Sequence, residues 1–297
     1  MLRWRQWQER IGRHLLQGIT LGCVLLAGLM ILGLLLKSWP LLQEQNLWSM
    51  LVSRDWRPHR GEFGYFPFLA GTLWVTGGAM LLAVPLALLT ATYLSEYASH
   101  RVCTLFKPLI DLLAGIPSVV YGVWGVLTIV PLVKNEVAPW FGRFTSGYCI
   151  LSASLVLAVM TLPVIIHVSL EVMQAVPREL RESALSLGAT RWQTVKKVVL
   201  RKALPGLLAA NVLGFARAFG ETMAVIMVAG NVARVPGSIF DPAYPLPALI
   251  ANNYGEMMSV PRYDAALMLA ALLLLGVVLG FSVLSRLVLQ RLQRRWR

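Results

Sequence analysis

The sequence has few charged residues for its length. Only 14% of its 297 residues are charged, whereas a typical soluble domain has about 25%. Hydrophobic residues make up 57% of the chain, and no long polar stretches are present that would cover buried helices. This composition excludes an ordinary soluble protein and favours a chain that lies in a membrane.

Cysteine and histidine are also sparse. The three cysteines are widely spaced and the four histidines are scattered, so neither residue type indicates a disulfide framework or a metal site. The sequence contains no GxxxxGK phosphate-binding loop and no Gly-Lys dipeptide, which excludes ATP hydrolysis by means of that loop. We therefore predict no cofactor, no metal and no catalytic residue, and we expect that the chain is not an enzyme.

Long apolar runs dominate what is present. Six runs are each long enough for the ~20 residues that cross the hydrocarbon core of a bilayer. They cover residues 15–36, 63–95, 108–133, 144–166, 203–233 and 265–285. The first run exceeds the ~7–15 residues of a signal peptide's apolar core, and no clear cleavage site follows, so we expect it to remain as an anchor. We predict an all-α, polytopic membrane protein with six transmembrane helices.

The net charge of +13 is distributed unevenly between the two sides of these spans. Both termini and the loops 95–107 and 177–202 lie on one side and carry 18 basic residues, against 8 in the opposite loops. By the positive-inside rule, the richer side is cytoplasmic. The basic surplus therefore reflects membrane topology, and we predict lipid but not nucleic acid as a partner.

Two charged residues lie deep inside the fifth run. Arg217 is 15 residues from Lys202, and Glu221 is 13 residues from Arg234, too far for easy snorkelling. An arginine at the centre of a span costs about 2.5–3.5 kcal/mol on insertion scales. The four-residue spacing predicts that both side chains lie on one helical face, where they pair or face a shared partner. Two readings remain open: a structural ion pair between helices, or a polar pathway in which Arg217 attracts an anion.

Several spans contain helix-breaking residues, most clearly the stretch AGIPSVVYG at 114–122. Proline inside a span frees a carbonyl and bends the helix, and irregular backbone survives at membrane depth only against protein or a wet cavity. The stretch is either a pathway-lining break or a structural kink. The candidate pathway residues are Ser118 here, together with Arg217, Glu221 and Thr222.

The basic loop 177–202 has its own helical pattern. Pro177 suits the first turn of a helix, and Gly188 suits its C-terminal end. Thr190 and Gln193 then form a capping-box pattern that starts a second short helix. We expect two short helices outside the membrane, separated by a glycine, and interpret them as a docking element.

Residues of this loop resemble a known family motif. Glu182, Ala184 and Gly188, followed by Val198 and Leu200, resemble the cytoplasmic EAA loop of ABC importer permeases, although Arg201 stands where that family usually has proline. The resemblance implies a type I ABC importer permease fold. It also implies that the loop is a coupling helix which seats in an ATPase subunit, with Glu182, Ala184, Gly188 and Thr190 as docking residues.

Other segments resemble the phosphate-specific permease subunit of the PstC type. They are IDLLAGIPSVVYG (110–122), YLSEYAS (93–99), LGATRWQTVKKVVL (187–200) and RAFGETMAVIMVAGN (217–231). The resemblance runs from about residue 64 to the carboxyl end. We therefore divide the chain into an anchor helix with an outer segment (1–62) and an ABC permease transmembrane domain (63–297).

The resemblance implies a phosphate importer in the bacterial inner membrane. Its expected partners are a second permease of the PstA type, a dimer of ATP-binding subunits that hydrolyses ATP, and a periplasmic phosphate-binding protein. Both termini of this multi-pass chain are expected in the cytoplasm. The alternatives are a permease for another oxyanion such as molybdate or sulfate, a proton-coupled secondary transporter that uses Glu221, and a membrane scaffold or sensor that transports nothing.

Overall fold

The computed structural model of the chain describes residues 2–255, 260 and 262–294. This part of the chain is built mainly from helices. The helices are α1 (Leu2–Glu44), α2 (Leu47–Val52), α3 (Phe66–Glu96), α4 (His100–Gly115), α5 (Ser118–Trp124), α6 (Val130–Leu132), α7 (Ala138–Trp140), α8 (Ile150–Gln174), α9 (Arg178–Ser186), α10 (Arg191–Thr194), α11 (Leu200–Phe219), α12 (Met223–Val228), α13 (Leu246–Asn253) and α14 (Tyr263–Arg294).

Short π-helical and extended segments complete the described elements. Three π-helical turns, at Gly125–Ile129, Val133–Val137 and Val195–Val199, join neighbouring α-helices into longer ones. Strands β1 (Trp56–Arg57) and β2 (Glu62–Phe63) pair antiparallel around a 3₁₀ turn.

Six helical stretches are long and apolar enough to cross a membrane, as predicted. They are Gly12–Glu44, Phe66–Glu96, Ser118–Trp140, Ile150–Gln174, Arg191–Phe219 and Tyr263–Val288. The prediction for the third span needs a correction, because the apolar run from 108 to 115 belongs to α4. Helix α4 is separate from the span, so the third span begins ten residues later than the run suggested.

The fourth span lies at the centre of the fold. Within its most apolar stretch 67% of the residues are buried inside the chain, against 0% for the first span. Helix α8 contacts α3, α4, α11 and α12, whereas α1 is covered mainly near its C-terminal end, where Leu41 and Ser38 are buried. The first span therefore lies at the periphery, beside α14.

Small residues allow the neighbouring helices to approach α8 closely. Helix α3 presents buried alanines at four-residue intervals, namely Ala79, Ala83, Ala87 and Ala91. On α11, a Cβ atom at Gly206 would lie 2.3 Å from Val172 Cγ1, and one at Gly214 would lie 2.5 Å from Ile165 Cγ1. Such contacts are a common way to pack helices in lipid, where the hydrophobic effect does not drive association.

An aromatic cluster closes the end of the bundle where spans two and six begin. Trp56 makes edge contacts with the rings of Phe63, Phe68 and Tyr263. The buried Tyr65 hydroxyl donates a hydrogen bond to the Ala266 carbonyl at 2.8 Å. The cluster contains residues from both sides of the predicted domain boundary at 62, and that division stays a prediction.

Candidate functional site

The helix of span five ends abruptly, and a second short helix follows after a short break. Helix α11 ends at Phe219, where the Gly220 N–H donates to the Ala216 carbonyl at 3.2 Å. Helix α12 begins at Met223. Thr222, with φ −111° and ψ −59°, lies in the break. Helices α11 and α12 are therefore not continuous with each other.

This break corrects the expectation that Arg217 and Glu221 share one helical face. Arg217 lies in the last turn of α11, whereas Glu221 lies beyond its end. Glu221 Oε1 accepts a hydrogen bond from the Ala224 N–H at 3.2 Å. Among the described residues, no ion pair joins the two side chains. The four-residue rule fails here because it requires a helix that is continuous across both residues.

Glu221 faces the interior of the chain. It lines a small cavity between α3, α8, α12 and the start of α13, together with Thr72 and Thr76. The Thr72 hydroxyl already has two partners, because it donates to the Phe68 carbonyl at 2.6 Å and accepts from the Leu246 N–H at 2.9 Å. The Glu221 carboxylate thus caps α12 and lies among buried hydroxyls.

Arg217 has different surroundings. Its side chain is exposed. On α5, the Tyr121 hydroxyl donates to the Leu113 carbonyl near the end of α4 at 2.8 Å. In the part of the chain that the structure describes, no carboxylate lies within 4.0 Å of the Arg217 guanidinium. Among the described residues, the arginine is therefore a cation in the last turn of span five that has no acidic partner.

Ser118 lies at a second break, immediately before span three. Helix α4 ends at Gly115, and the extended residues Ile116 and Pro117 precede α5, which begins at Ser118. The stretch is therefore a true break and not a kink within one continuous span. Whether it lines a pathway stays a prediction.

The helices that follow the two breaks pack against each other. A Cβ atom at Gly122 of α5 would lie 2.5 Å from Met227 Sδ and 3.2 Å from Ala224 Cα, both on α12. The two breaks, with Ser118 after one and Thr222 in the other, therefore precede a pair of contacting helices.

The second candidate site is the loop at 177–202. Helix α9 is followed by Gly188, whose φ of +82° is left-handed. The predicted capping box is confirmed: the Gln193 N–H donates to Thr190 Oγ1 at 3.3 Å, and the Thr190 N–H donates to Gln193 Oε1 at 2.9 Å. Glu182, Gly188 and Thr190 are exposed, and Ala184 is half-buried.

One feature of this loop differs from the prediction. The second short helix, α10, is not a separate element. It runs through the π-helical turn Val195–Val199 into α11, so Arg191–Phe219 forms one continuous span. Movement of α10 is thus movement of span five itself.

Sequence reasoning missed two residues that the structure brings to these sites. Tyr121 belongs to the 114–122 stretch, and its hydroxyl ties α5 to the Leu113 carbonyl of α4. Arg181, which the sequence indicates only as one of the basic residues of its loop, forms an ion pair with Glu96 at 2.8 Å. The ion pair has no local signal, because its partners are 85 residues apart in sequence.

A family model and several related proteins match most of the chain. The model described as binding-protein-dependent transport system inner membrane component matches residues 83–297. The probable ABC transporter permease protein YqgH of Bacillus subtilis is 39% identical over 82% of this chain and 78% of its own length. The phosphate transport system permease protein PstC of Xylella fastidiosa is 35% identical over 86% of this chain and 82% of its own length. PstC of Haemophilus influenzae is 31% identical over 97% of this chain and 95% of its own length.

Solved structures share the fold. A chain of the inward-facing MetNI methionine ABC transporter aligns with a TM-score of 0.56 at 20% identity, over 77% of this chain and 94% of its own. A chain of a bacterial ABC transporter involved in the import of the acidic polysaccharide alginate aligns with a TM-score of 0.56 at 19% identity, over 76% and 79%. Since the identities are low, these matches concern the fold alone, and they confirm the predicted fold class.

Proposed function

The chain belongs to the family of binding-protein-dependent transport system inner membrane components, and we propose that it is the permease subunit of an ABC importer for inorganic phosphate. The relatives named as phosphate transport permeases, at 31% and 35% identity, support phosphate over molybdate or sulfate. The chain supplies a path through the membrane, and a partner chain hydrolyses ATP.

The proposal rests on the exposure of the Arg217 side chain and on its lack of a carboxylate partner among the described residues. A charged side chain that faced lipid at this depth would cost several kcal/mol, so such residues normally face a bundle interior or a wet cavity. Arg217 is exposed and has no carboxylate partner in the described part of the chain. Its guanidinium is therefore free to offer a planar fork of donors, which matches the oxygens of a phosphate ion.

The neighbouring residues have separate roles in this proposal. Ser118 and Thr222 lie at the two helix breaks, where irregular backbone indicates a water-filled path. The Thr222 hydroxyl bonds the Gly220 carbonyl at 3.3 Å, so it must rotate to reach an anion. Glu221 faces inward and caps α12, which keeps its negative charge away from the exposed Arg217 and fixes the break.

The loop at 177–202 is the proposed docking site for the ATPase. Glu182, Gly188 and Thr190 form an exposed surface on α9 and the turn that follows, with Ala184 behind them. Leu187, at 87% exposed, adds an apolar group to the same turn. Because α10 is continuous with span five, closure of an ATPase dimer against this loop would move the helix that carries Arg217.

The remaining partners follow from the same proposal. A PstA-type permease supplies the other half of the path, and a periplasmic phosphate-binding protein delivers the ion. The chain lies in the bacterial inner membrane with both termini in the cytoplasm, an orientation supported by the excess of basic residues in the loops on that side.

The proposal is tested by uptake of labelled phosphate into proteoliposomes that contain this chain, the partner permease and the ATPase, with the binding protein outside. We expect uptake that requires ATP inside the vesicles and that excess sulfate or molybdate does not compete away. Uptake driven by a proton gradient without ATP would favour a secondary transporter. Preferential uptake of sulfate or molybdate would change the substrate.

A further inference from the structure

The ion pair between Arg181 and Glu96 is the most enclosed one in the described part of the chain. Arg181 Nη2 lies 2.8 Å from Glu96 Oε1, and Arg181 Nε donates to Glu96 Oε2 at 3.1 Å, so both oxygens of the carboxylate are bound. The side chains are 19% and 8% exposed. Every other ion pair of the described residues has both side chains at least 40% exposed.

The same guanidinium also binds the end of a third helix. Arg181 Nη2 donates to the Met173 carbonyl at 2.9 Å, and Nη1 donates to the Val176 carbonyl. These carbonyls belong to the last turn of α8 and the residues that follow it, where helix carbonyls have no partner within the helix. Arg181 therefore links α9 to the ends of spans two and four with one rigid, planar group.

The carboxylate is held equally firmly from its own helix. Glu96 is the last residue of α3, and the Ser95 hydroxyl donates to its Oε1 at 2.8 Å. Helix α9 has no fully buried residue of its own. Its attachment to spans two and four therefore depends strongly on Arg181.

This arrangement has a consequence for transport. Spans two and four form the centre of the bundle, because α3 and α8 pack along their lengths through small residues. Through Arg181, a displacement of α9 pulls on the ends of both helices at once. A loop joined to them only by flexible backbone would absorb the displacement.

We propose that Arg181 and Glu96 are positioning residues that transmit the movement of α9 to spans two and four, so that ATP hydrolysis drives transport. This inference rests on the proposed function, in which the ATPase docks on α9. The loop would then have two separate tasks. The exposed residues Glu182, Gly188 and Thr190 bind the ATPase, and the enclosed pair transmits the movement of the ATPase to the membrane helices.

The test measures phosphate imported per ATP hydrolysed in the reconstituted complex. The variants are Arg181→Gln, Arg181→Lys, Glu96→Gln and the double variant Arg181→Gln with Glu96→Gln. The matched control is Arg101→Gln, which removes an exposed arginine of α4 near the same end of the bundle. Co-purification of the ATPase and the thermal unfolding midpoint of the complex are measured for each variant.

We expect Arg181→Gln to lower the ratio of phosphate to ATP about five-fold or more, the range of a typical coupling free energy, while the ATPase still co-purifies. Arg181→Lys falls between this variant and wild type, because one ammonium group cannot bind the carboxylate and both carbonyls as the guanidinium does. The double variant is no worse than Arg181→Gln, since residues that act through one contact are not additive. The Arg101→Gln control keeps the wild-type ratio.

Other results overturn the inference. An unchanged ratio in Arg181→Gln shows that the pair does not transmit movement. Arg181→Gln could instead weaken ATPase binding while the complexes that remain keep the wild-type ratio of phosphate to ATP. This result would show that the pair only stabilises the docking surface. If the Arg181→Gln protein does not accumulate in the membrane, the Arg181→Lys variant is measured in its place. A wild-type ratio of phosphate to ATP in Arg181→Lys contradicts the inference. If the wild-type complex imports no phosphate, the proposed function itself is wrong and the inference falls with it.

Discussion

Gly122 of α5 lies against Ala224 of α12 so closely that a Cβ atom at residue 122 would be 3.2 Å from the Ala224 Cα atom. The contact is between backbones, because neither residue has a side chain larger than a methyl group. It fixes the distance between the helices that follow the two breaks. The positions of Ser118 and Thr222 relative to each other therefore depend on a glycine at 122.

Replacing Gly122 with valine tests this contact. The larger side chain would overlap the Met227 side chain and press on the Ala224 Cα atom of α12, and overpacking of this kind costs typically about 1–3 kcal/mol. We expect a lower thermal unfolding midpoint and reduced phosphate uptake. The matched control is Gly77→Val, also inside a helix, where a Cβ atom meets nothing within 4 Å. Equal uptake and equal midpoints in the two variants would show that the contact between α5 and α12 is not required.

At Gly188, the backbone conformation determines which substitutions the turn can accept. Its φ is +82°, and a Cβ atom there would meet nothing within 4 Å, so a substitution acts through conformation and not through a clash. Asparagine tolerates the left-handed region better than alanine, and β-branched valine tolerates it least. We expect co-purification of the ATPase to fall in the order Gly, Asn, Ala, Val. A valine variant that binds the ATPase as wild type does would remove Gly188 from the docking site.

The Tyr65 hydroxyl supplies a stability prediction that is independent of transport. It is buried and donates to the Ala266 carbonyl at 2.8 Å, so it ties the start of span two to span six. Tyr65→Phe removes that donor and keeps the ring, and the net loss for such a hydrogen bond is about 1 kcal/mol. We expect a lower unfolding midpoint in detergent with uptake per folded molecule unchanged. A midpoint equal to wild type would show that water replaces the donor.

The orientation in the membrane is tested by labelling single cysteines in a variant that lacks the three natural ones. Ser186 lies in α9 and Arg234 in the loop after α12, and both are exposed. With the amino terminus in the cytoplasm, Ser186→Cys reacts with an impermeant thiol reagent only after the membrane is opened. Arg234→Cys reacts in intact spheroplasts. The reverse pattern would invert the topology.

Much of the fold could be predicted because spans depend on local composition. Apolar runs of sufficient length identify six crossings, and Gly188 with the Thr190–Gln193 capping box identifies the turn after α9. The third span was misplaced because α4 is also apolar, so that composition alone does not separate it from α5.

The details of the candidate site depend on contacts between distant residues. No proline marks the end of α11 at Phe219, and α12, which follows the break, packs on α5. Hence Arg217 and Glu221 appeared to share a helical face that the structure does not contain. The Arg181–Glu96 pair joins residues 85 apart in sequence, and no short pattern in the sequence predicts it.

Because Arg217 and Glu221 are not paired, their effects on uptake are expected to be independent. Glu221→Gln weakens the cap on α12, whereas Arg217→Gln removes the cation. For residues without a shared contact, the energies of the two changes add within about 0.3–0.5 kcal/mol. Relative uptake in the double variant is then the product of the values for the two single variants. Full uptake in the double variant would show instead that the two charges form only a structural pair.

If Arg217 attracts the transported anion, phosphate uptake by Arg217→Gln in the reconstituted complex will show it. A hydrogen bond to a charged group contributes about 1.5–3 kcal/mol, so we expect uptake to fall by at least about ten-fold while the ATPase still co-purifies. Arg217→Lys retains partial uptake, because it keeps the charge and loses the fork of donors. Wild-type uptake by Arg217→Gln, at equal protein level, would contradict the account.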